Sequence, residues 1–295
     1  MPQSANSIIS STSNDLLRTP AKHIIIKIRD TGYLSFINWV SAHDEHRGFV
    51  HIANFHHPEH GSCDAYVKLY ETDVGKSLAN EITAYLCAHA LSITQPKHAF
   101  IANIPLDRIK NPPGWIKRLS KTHKTYPAFC TTRLDGHSAA LRLPFESDLK
   151  HIVDDVAKWP ELERAVTLDE NLASTDRHLN NLIRLAPKKY ALIDGGRLAN
   201  DEDGCWTIST LNALNLYRNR LSERVWDHKP KQQCIDKMID SASTHSVLLE
   251  QVAEELRYWW SQLLTPEDSV QFDKFLNDRT SNLGLLVRKR YGMLV

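Results

Sequence analysis

Residues 174–196 read S-T-D-R-H-L-N-N-L-I-R-L-A-P-K-K-Y-A-L-I-D-G-G, and the rest of the chain is organised around them. Asp176 precedes Asn181 by five places, and Asp194 stands in front of Gly195 and Gly196. Between them the apolar-rich runs 182–185 and 190–193 flank Ala186-Pro187-Lys188-Lys189, a pattern that predicts a hairpin with a four-residue turn. Pairing Leu185 with Tyr190 and Leu182 with Ile193 sets Asn181 opposite Asp194 at the open end, about 5 Å apart at Cα. An amide oxygen and a carboxylate that close can share a hard cation such as Mg²⁺, which takes waters and phosphate oxygens for its remaining positions. Asp176 is then one short loop away, free to accept a proton.

Asp-x₄-Asn, a hairpin and Asp-x-Gly, in that order, is the catalytic-loop and metal-loop pattern of the protein-kinase-like phosphotransferases. The wording Asp-Arg-His-x-x-Asn is similar to two branches, the HipA-like bacterial kinases and the phosphoinositide kinases. The context L-D-E-N-L-A-S-T-D-R-H-L-N-N-L-I, then Y-A-L-I-D-G-G, resembles the HipA-like branch, closely over residues 165–200 and more loosely over 64–140. The resemblance implies an α+β, bilobal protein-kinase-like fold, with a β-rich nucleotide-binding lobe over 21–133 and a mainly helical catalytic lobe over 134–295. It implies ATP and Mg²⁺ as cofactors, Asp176 as general base, and Asn181 and Asp194 as metal ligands. Arg177 and His178 belong to the same motif and would brace the loop, His178 alternatively touching phosphate. Two positions depart from the family. Ser174 stands where an Asn is common, with Asn171 nearby as a substitute, and Gly195 stands where His or Phe is usual, which would loosen the packing behind the loop.

The totals exclude more than they name. A chain of 295 residues can bury a sizeable core in one large domain or two lobes. Lys and Arg number 36 against 35 Asp and Glu, so net charge demands neither nucleic acid nor an anionic membrane. Five scattered cysteines without a C-x-x-C pair indicate neither a zinc site nor a disulfide framework, and a reduced, cytoplasmic setting is the default expectation. No apolar run approaches the roughly 18 residues of a membrane span, and the start lacks the order of a secretory signal.

The Ser/Asn-rich start, 1–20, reads as a mobile tail. Strand-like runs follow at 24–26, 34–40, 49–55 and 65–70. In the last, Tyr66, Lys68 and Tyr70 share one face and Val67 and Leu69 the other. Glu81 then opens a helical pattern carrying Ile82, Tyr85, Leu86, His89 and Ile93, with Pro96 beyond its end. A strand lysine and a helix glutamate are how kinases hold the α- and β-phosphates, so the resemblance gives those roles to Lys68 and Glu81. An edge-strand lysine and an ordinary first-turn glutamate are the bland alternative. No Gly-x-Gly-x-x-Gly precedes Lys68; the turn at 56–63, with the Ser62 hydroxyl, occupies the place of a phosphate-covering loop. His43, His46, His51, His56, His57 and His60 crowd this region, but their spacing matches no ligand motif and surface-loop histidines account for them.

Between Asp107 and Tyr126 the chain turns basic, with a solvated loop as the favoured reading and an anionic partner as the sharper one. The run 128–136 passes from apolar strand to polar turn. There the resemblance places the junction of the lobes and the adenine contacts, with Thr131 and Leu134 as cofactor-binding positions. Helices are expected at 147–157, at 159–168 and almost throughout from Asp240, with Thr265-Pro266-Glu267-Asp268 a helix start and Trp259-Trp260 in packing.

The acids Asp201, Glu202 and Asp203 follow the metal loop, where a phosphoinositide kinase needs cations, and favour a neutral or basic protein segment offering Ser or Thr. Aminoglycoside-type kinases carry His where Ser174 stands. The sequence therefore reads as a HipA-like Ser/Thr protein kinase, beside a phosphoinositide or small-molecule kinase and a catalytically silent kinase-fold binding module. HipA-like kinases are often toxins restrained by a partner, which implies an antitoxin-like or accessory protein on a separate polypeptide. No membrane partner is expected, and nucleic acid only through a partner.

Overall fold

The computed structural model describes residues 23–41, 48–139, 146–200, 204–227 and 229–293. The tail 1–20, His43, His46 and the acids 201–203 lie outside the described residues. The chain divides into two compact units, one running to Leu78 and including Pro96–Arg133, the other comprising Ala79–Gln95 and Leu134–Val295. The division falls within the helix α1 (Val74–Ala90). Strands precede and long helices follow, which is the α+β class expected from the sequence.

The first unit is built on one sheet of β1 (Ile26–Ile28), β2 (Tyr33–Ser41), β3 (Gly48–His57), β4 (Gly61–Tyr70), β5 (Ala99–Pro105) and β6 (Thr125–Thr132), in the order β1-β5-β6-β4-β3-β2. In this sheet β1 and β5 run parallel and the other described pairs run antiparallel. β4 shows why period-two patterning specifies a sheet: Ala65, Val67 and Leu69 are fully buried while Tyr66, Lys68 and Tyr70 on the opposite face are half-buried. The core beneath is aromatic, with Phe55 edge-on to both Tyr33 (5.3 Å) and Phe100 (5.0 Å).

Two expectations for this unit are corrected. His51 and His57 are buried and not loop residues: His51 lies among the rings of Tyr33, Phe36 and Trp39, because neutral imidazole packs as a flat aromatic. The basic stretch keeps Arg108, Lys110, Lys117, Arg118, Lys121 and Lys124 exposed, as the solvated reading expects, but it is not loop throughout. It carries the helix α2 (Gly114–Leu119), whose Trp115 packs against Phe49 and Tyr126, and Arg108 donates to the Tyr33 carbonyl at 2.8 Å.

The second unit contains a three-stranded sheet of β7 (His137–Ser138), β8 (Leu182–Ala186) and β9 (Lys189–Leu192). Its helices are α3 (Glu146–Val156), α4 (Leu162–Leu172), α5 (Arg220–Trp226), α6 (Gln232–Leu263) and α7 (Pro266–Arg290). Thr265 caps α7 by accepting the Asp268 amide at 3.1 Å, ahead of Pro266 at the first position. Trp259 and Trp260 are buried, and the Trp260 indole donates to Thr83 at 2.9 Å. α4 is locked to α7 by Arg279, fully buried, which donates to the carbonyls of Glu170, Asn171, Ala213 and Asn215 and lies 3.5 Å from the Glu170 carboxylate. Asn171 faces His245 and Thr280 (3.2 and 3.1 Å), so it serves helix packing and does not stand in for an Asn at position 174.

Candidate functional site

The site begins where α4 stops. Ala173 takes a left-handed conformation (φ 51°) and the Ser174 amide returns to the Asp169 carbonyl at 2.8 Å, a helix end that turns the chain sharply. Ser174 and Leu198 then form an antiparallel bridge, and the Thr175 hydroxyl donates to the Asn200 carbonyl. The segments before Asp176 and after Gly196 are thereby tied together at their base.

Arg177 occupies the buried centre. Its Nε meets the Asp169 carboxylate at 3.2 Å, and its Nη1 donates to the carbonyls of Ile193 and Asp194. Burial pushes the Asp169 carboxyl up to about 6, against the pull of the neighbouring guanidinium. One side chain thus joins α4, the Asp176 loop and the Asp194 loop.

The hairpin between those loops differs from the expected one. β8 and β9 pair Leu182 with Leu192 and Arg184 with Tyr190, one place from the anticipated register, and Ala186 lies opposite Lys189 across a turn of Pro187 and Lys188. Lys188 adopts φ 57°, which tightens the turn, and its amide donates to Asp155 on α3, as do Arg184 and Tyr190. Burial opposes ionisation of Asp155, but these donors prevail and hold its carboxyl below the usual range. The ladder continues with the Ile193 amide on the Asn181 carbonyl at 3.1 Å, so Asn181 opposes Ile193 and not Asp194. Asp194 follows with φ 60°, where the chain leaves the ladder.

Asn181, buried, donates through Nδ2 to the Asp176 carbonyl at 2.8 Å. That leaves Oδ1, the atom a hard cation takes, on the other side of the amide. Mg²⁺ needs only one or two protein oxygens when phosphates and waters complete its shell, and the Asn181 amide oxygen and the Asp194 carboxylate are of the chemistry it takes. Among the described residues no group of three or more His, Cys, Asp or Glu could hold a metal without such help. The Asp176 carboxylate itself faces cations, with Arg220 Nη1 at 2.9 Å from one oxygen and Arg197 Nε at 3.6 Å from the other.

Behind the Asp194 loop stands α1. Glu81 is not in its first turn, because the helix begins at Val74; it is an interior, buried residue whose Oε2 accepts the Gly195 amide at 3.0 Å. Asn80 donates to the Gly196 carbonyl at 2.8 Å and accepts the Trp206 indole at 2.9 Å. Gly195 does not loosen this packing. A Cβ there would sit 2.1 Å from the Ala84 methyl, so glycine is what allows the loop to lie on the helix.

Lys68, Ser62 and Thr131 belong to the first unit, and Leu134 opens the main part of the second. Because Lys68 pairs with Phe129 and Tyr66 with Thr131, Lys68 and Thr131 share the half-buried face of the sheet. The proposed phosphate turn is shorter than expected: β3 runs to His57 and β4 resumes at Gly61, leaving Ser62 in a strand with its hydroxyl given to Asn54 at 2.9 Å. Asp169, Arg197, Arg220 and Asn80 were missed by the sequence reading. Asp169 lies inside the quoted motif, but Arg220 is 44 residues from Asp176 and no local spacing announces it.

No protein-family model matches the chain, and no curated protein does. Among solved structures it is similar to the crystal structure of a Helicobacter pylori proinflammatory kinase, CtkA, with a TM-score of 0.49 and 11% identity over 90% of this chain and 98% of that one.

Proposed function

We propose that the protein is an ATP- and Mg²⁺-dependent phosphotransferase that moves the γ-phosphate to a protein Ser or Thr hydroxyl, in the manner of the HipA-like kinases it resembles. The observation that carries this reading is the cross-tying of two loops. Asn181 holds the Asp176 carbonyl, Arg177 holds the Asp194 carbonyl, and Glu81 holds the Gly195 amide. Phosphoryl transfer asks mainly for alignment and charge neutralisation, which is what fixed loops of this kind provide.

In this reading Asp176 orients the acceptor hydroxyl and takes its proton, and Asn181 and Asp194 hold Mg²⁺. When bound, Mg²⁺ would supply charge neutralisation at the ATP phosphates. Lys68, with Thr131 on the same sheet face, and Leu134 would contact the nucleotide; Ser62 is the weakest member because Asn54 already engages its hydroxyl. An antitoxin-like or accessory partner remains part of the proposal through the resemblance.

Incubation with γ-labelled ATP, Mg²⁺ and a lysate tests it, with Asp176→Asn and Asp194→Ala alongside. Transfer should fall about 10²–10⁴-fold in Asp176→Asn, the usual worth of a general base. Label transfer indifferent to both substitutions would dispose of the assignment. A second reading, a catalytically silent binding module, draws on the Asp176 carboxylate being engaged by Arg220 and Arg197. ATP binding without turnover would select it.

A further inference from the structure

Beside the Asp176 loop, wholly within the second unit, lies a cavity of about 510 Å³ lined by Leu149, His178, Leu179, Arg220, Arg224 and the Arg218–Glu223 pair. Its chemistry is cationic with an apolar wall. Arg218 Nε is paired with Glu223 at 2.8 Å, and Arg220 Nη1 with Asp176 at 2.9 Å. Arg224 is exposed and has no ion-pair partner among the described residues. Two atoms of these lining residues are buried without a hydrogen-bond partner among the described residues, the donor Arg220 Nε and His178 Nδ1, whose role depends on the tautomer. A buried donor left unmet is destabilising, and a ligand oxygen that reached it would remove that penalty.

We propose that this cavity is an acceptor subsite that takes a single carboxylate, the side chain of an Asp or Glu next to the accepting Ser or Thr. The inference rests on the kinase reading and names the substrate class for it. Charge selects the occupant. Of the three lining arginines, Arg218 is paired with Glu223 and Arg220 with Asp176, which Arg197 also faces, so Arg224 is the lining cation without an ion-pair partner among the described residues, and one carboxylate matches it. Leu149 and Leu179 supply apolar surface for the methylenes of an acidic side chain. A guanidinium binds a carboxylate by donating two parallel N–H bonds, and Arg224 lines the cavity as an exposed side chain. Arg220 serves the cavity and Asp176 at once, so an arriving carboxylate competes for it and loosens the hold on the Asp176 oxygen. The preference runs opposite to the one read from the acids at 201–203, which considered only residues adjacent in sequence.

The test is calorimetric binding of three peptides to the full chain without nucleotide, each with one central Ser flanked by Asp, Ala or Lys. The Asp-flanked peptide should bind about tenfold tighter than the Ala-flanked one, the order of one charge-assisted pair, and the preference should shrink with added salt. Arg224→Glu should abolish the preference and Arg224→Lys keep part of it, with thermal melts showing both folded. Equal or absent binding of the three peptides overturns the proposal, as does a preference that survives Arg224→Glu. Vesicles carrying phosphorylated inositol head groups form a separate arm, and binding to them in place of the Asp-flanked peptide also overturns it. Retained peptide preference without phosphate transfer would fault the kinase reading and leave the subsite; transfer to Ser peptides without charge preference would do the reverse.

Discussion

The carboxylate of Glu81 accepts the backbone amide of Gly195 at 3.0 Å, across 114 residues of sequence, with both partners buried. This bond fixes the segment immediately after Asp194 to an interior turn of α1. Glu81→Ala strands a buried amide and should lower stability by about 1–3 kcal/mol, whereas Glu81→Gln keeps an acceptor oxygen and should lose less. Urea unfolding of the two variants checks the order; equal losses would mean that the bond contributes little.

Gly195 and Ala84 are in contact closely enough that their substitutions must couple. Gly195→Ala places a methyl 2.1 Å from the Ala84 Cβ, so the loop or the helix has to move. With Ala84→Gly the nearest remaining atom is the residue 84 Cα at 3.6 Å, an ordinary contact. The double variant should therefore be more stable than Gly195→Ala alone, despite a cost of about 1 kcal/mol for a helix glycine. A double variant less stable than either single one would contradict this packing.

Stability should fall on mild acidification. Burial lowers the protonation of His51 to about 3 and of His245 to about 4, from an ordinary 6.5. The unfolded chain binds these protons first, so stability is intact above about 6.5 and is lost toward pH 4, at up to about 1.4 kcal/mol per pH unit for each group. Asp169 acts in the opposite sense: its folded carboxyl, raised to about 6, takes a proton before the unfolded one does and offsets part of the loss below that pH. His51→Phe, stacking as His51 does on Phe36, should flatten the slope between pH 6.5 and 5 as read from urea midpoints. An unchanged slope would remove His51 from the account.

Arg279 should be the most sensitive charged residue of the helical core. It is fully buried, donates to four carbonyls and lies over the rings of Tyr217 and Phe275 at 5.2 and 5.6 Å. Arg279→Ala leaves Glu170 and those carbonyls short of a donor and should cost about 3–5 kcal/mol. Arg279→Lys cannot reproduce the fork and should recover only part of it. A loss below 1 kcal/mol, about what a surface ion pair provides, would be inconsistent with this geometry.

What the sequence made legible was local. The alternation of Tyr66, Lys68 and Tyr70 gave the face of β4, and Thr265-Pro266 gave the start of α7, because each depends on neighbours within a few residues. The five-place spacing of Asp176 and Asn181 was readable for the same reason, as a loop and a 3₁₀ turn. The hairpin register was not, since it is set by the backbone of Lys188 and by Asp155 on a different element. The start of α1 was missed because Val74 to Asn80 reads as mixed polar sequence, although most of it is buried. The partners of Asp176 and Arg177 are long-range contacts, and no spacing rule places Arg220 beside Asp176.

The central claim is that Asn181 and Asp194 bring a cation to ATP. Titration of the protein with a non-hydrolysable ATP analogue, in Mg²⁺ and again in EDTA, measures it directly. Binding should weaken at least about tenfold in EDTA, and an Asp194→Asn variant, with the same left-handed backbone, should bind no better in Mg²⁺ than in EDTA while melting as the wild type does. Nucleotide binding equal in Mg²⁺ and EDTA, or a Mg²⁺ effect undiminished in Asp194→Asn, would contradict it.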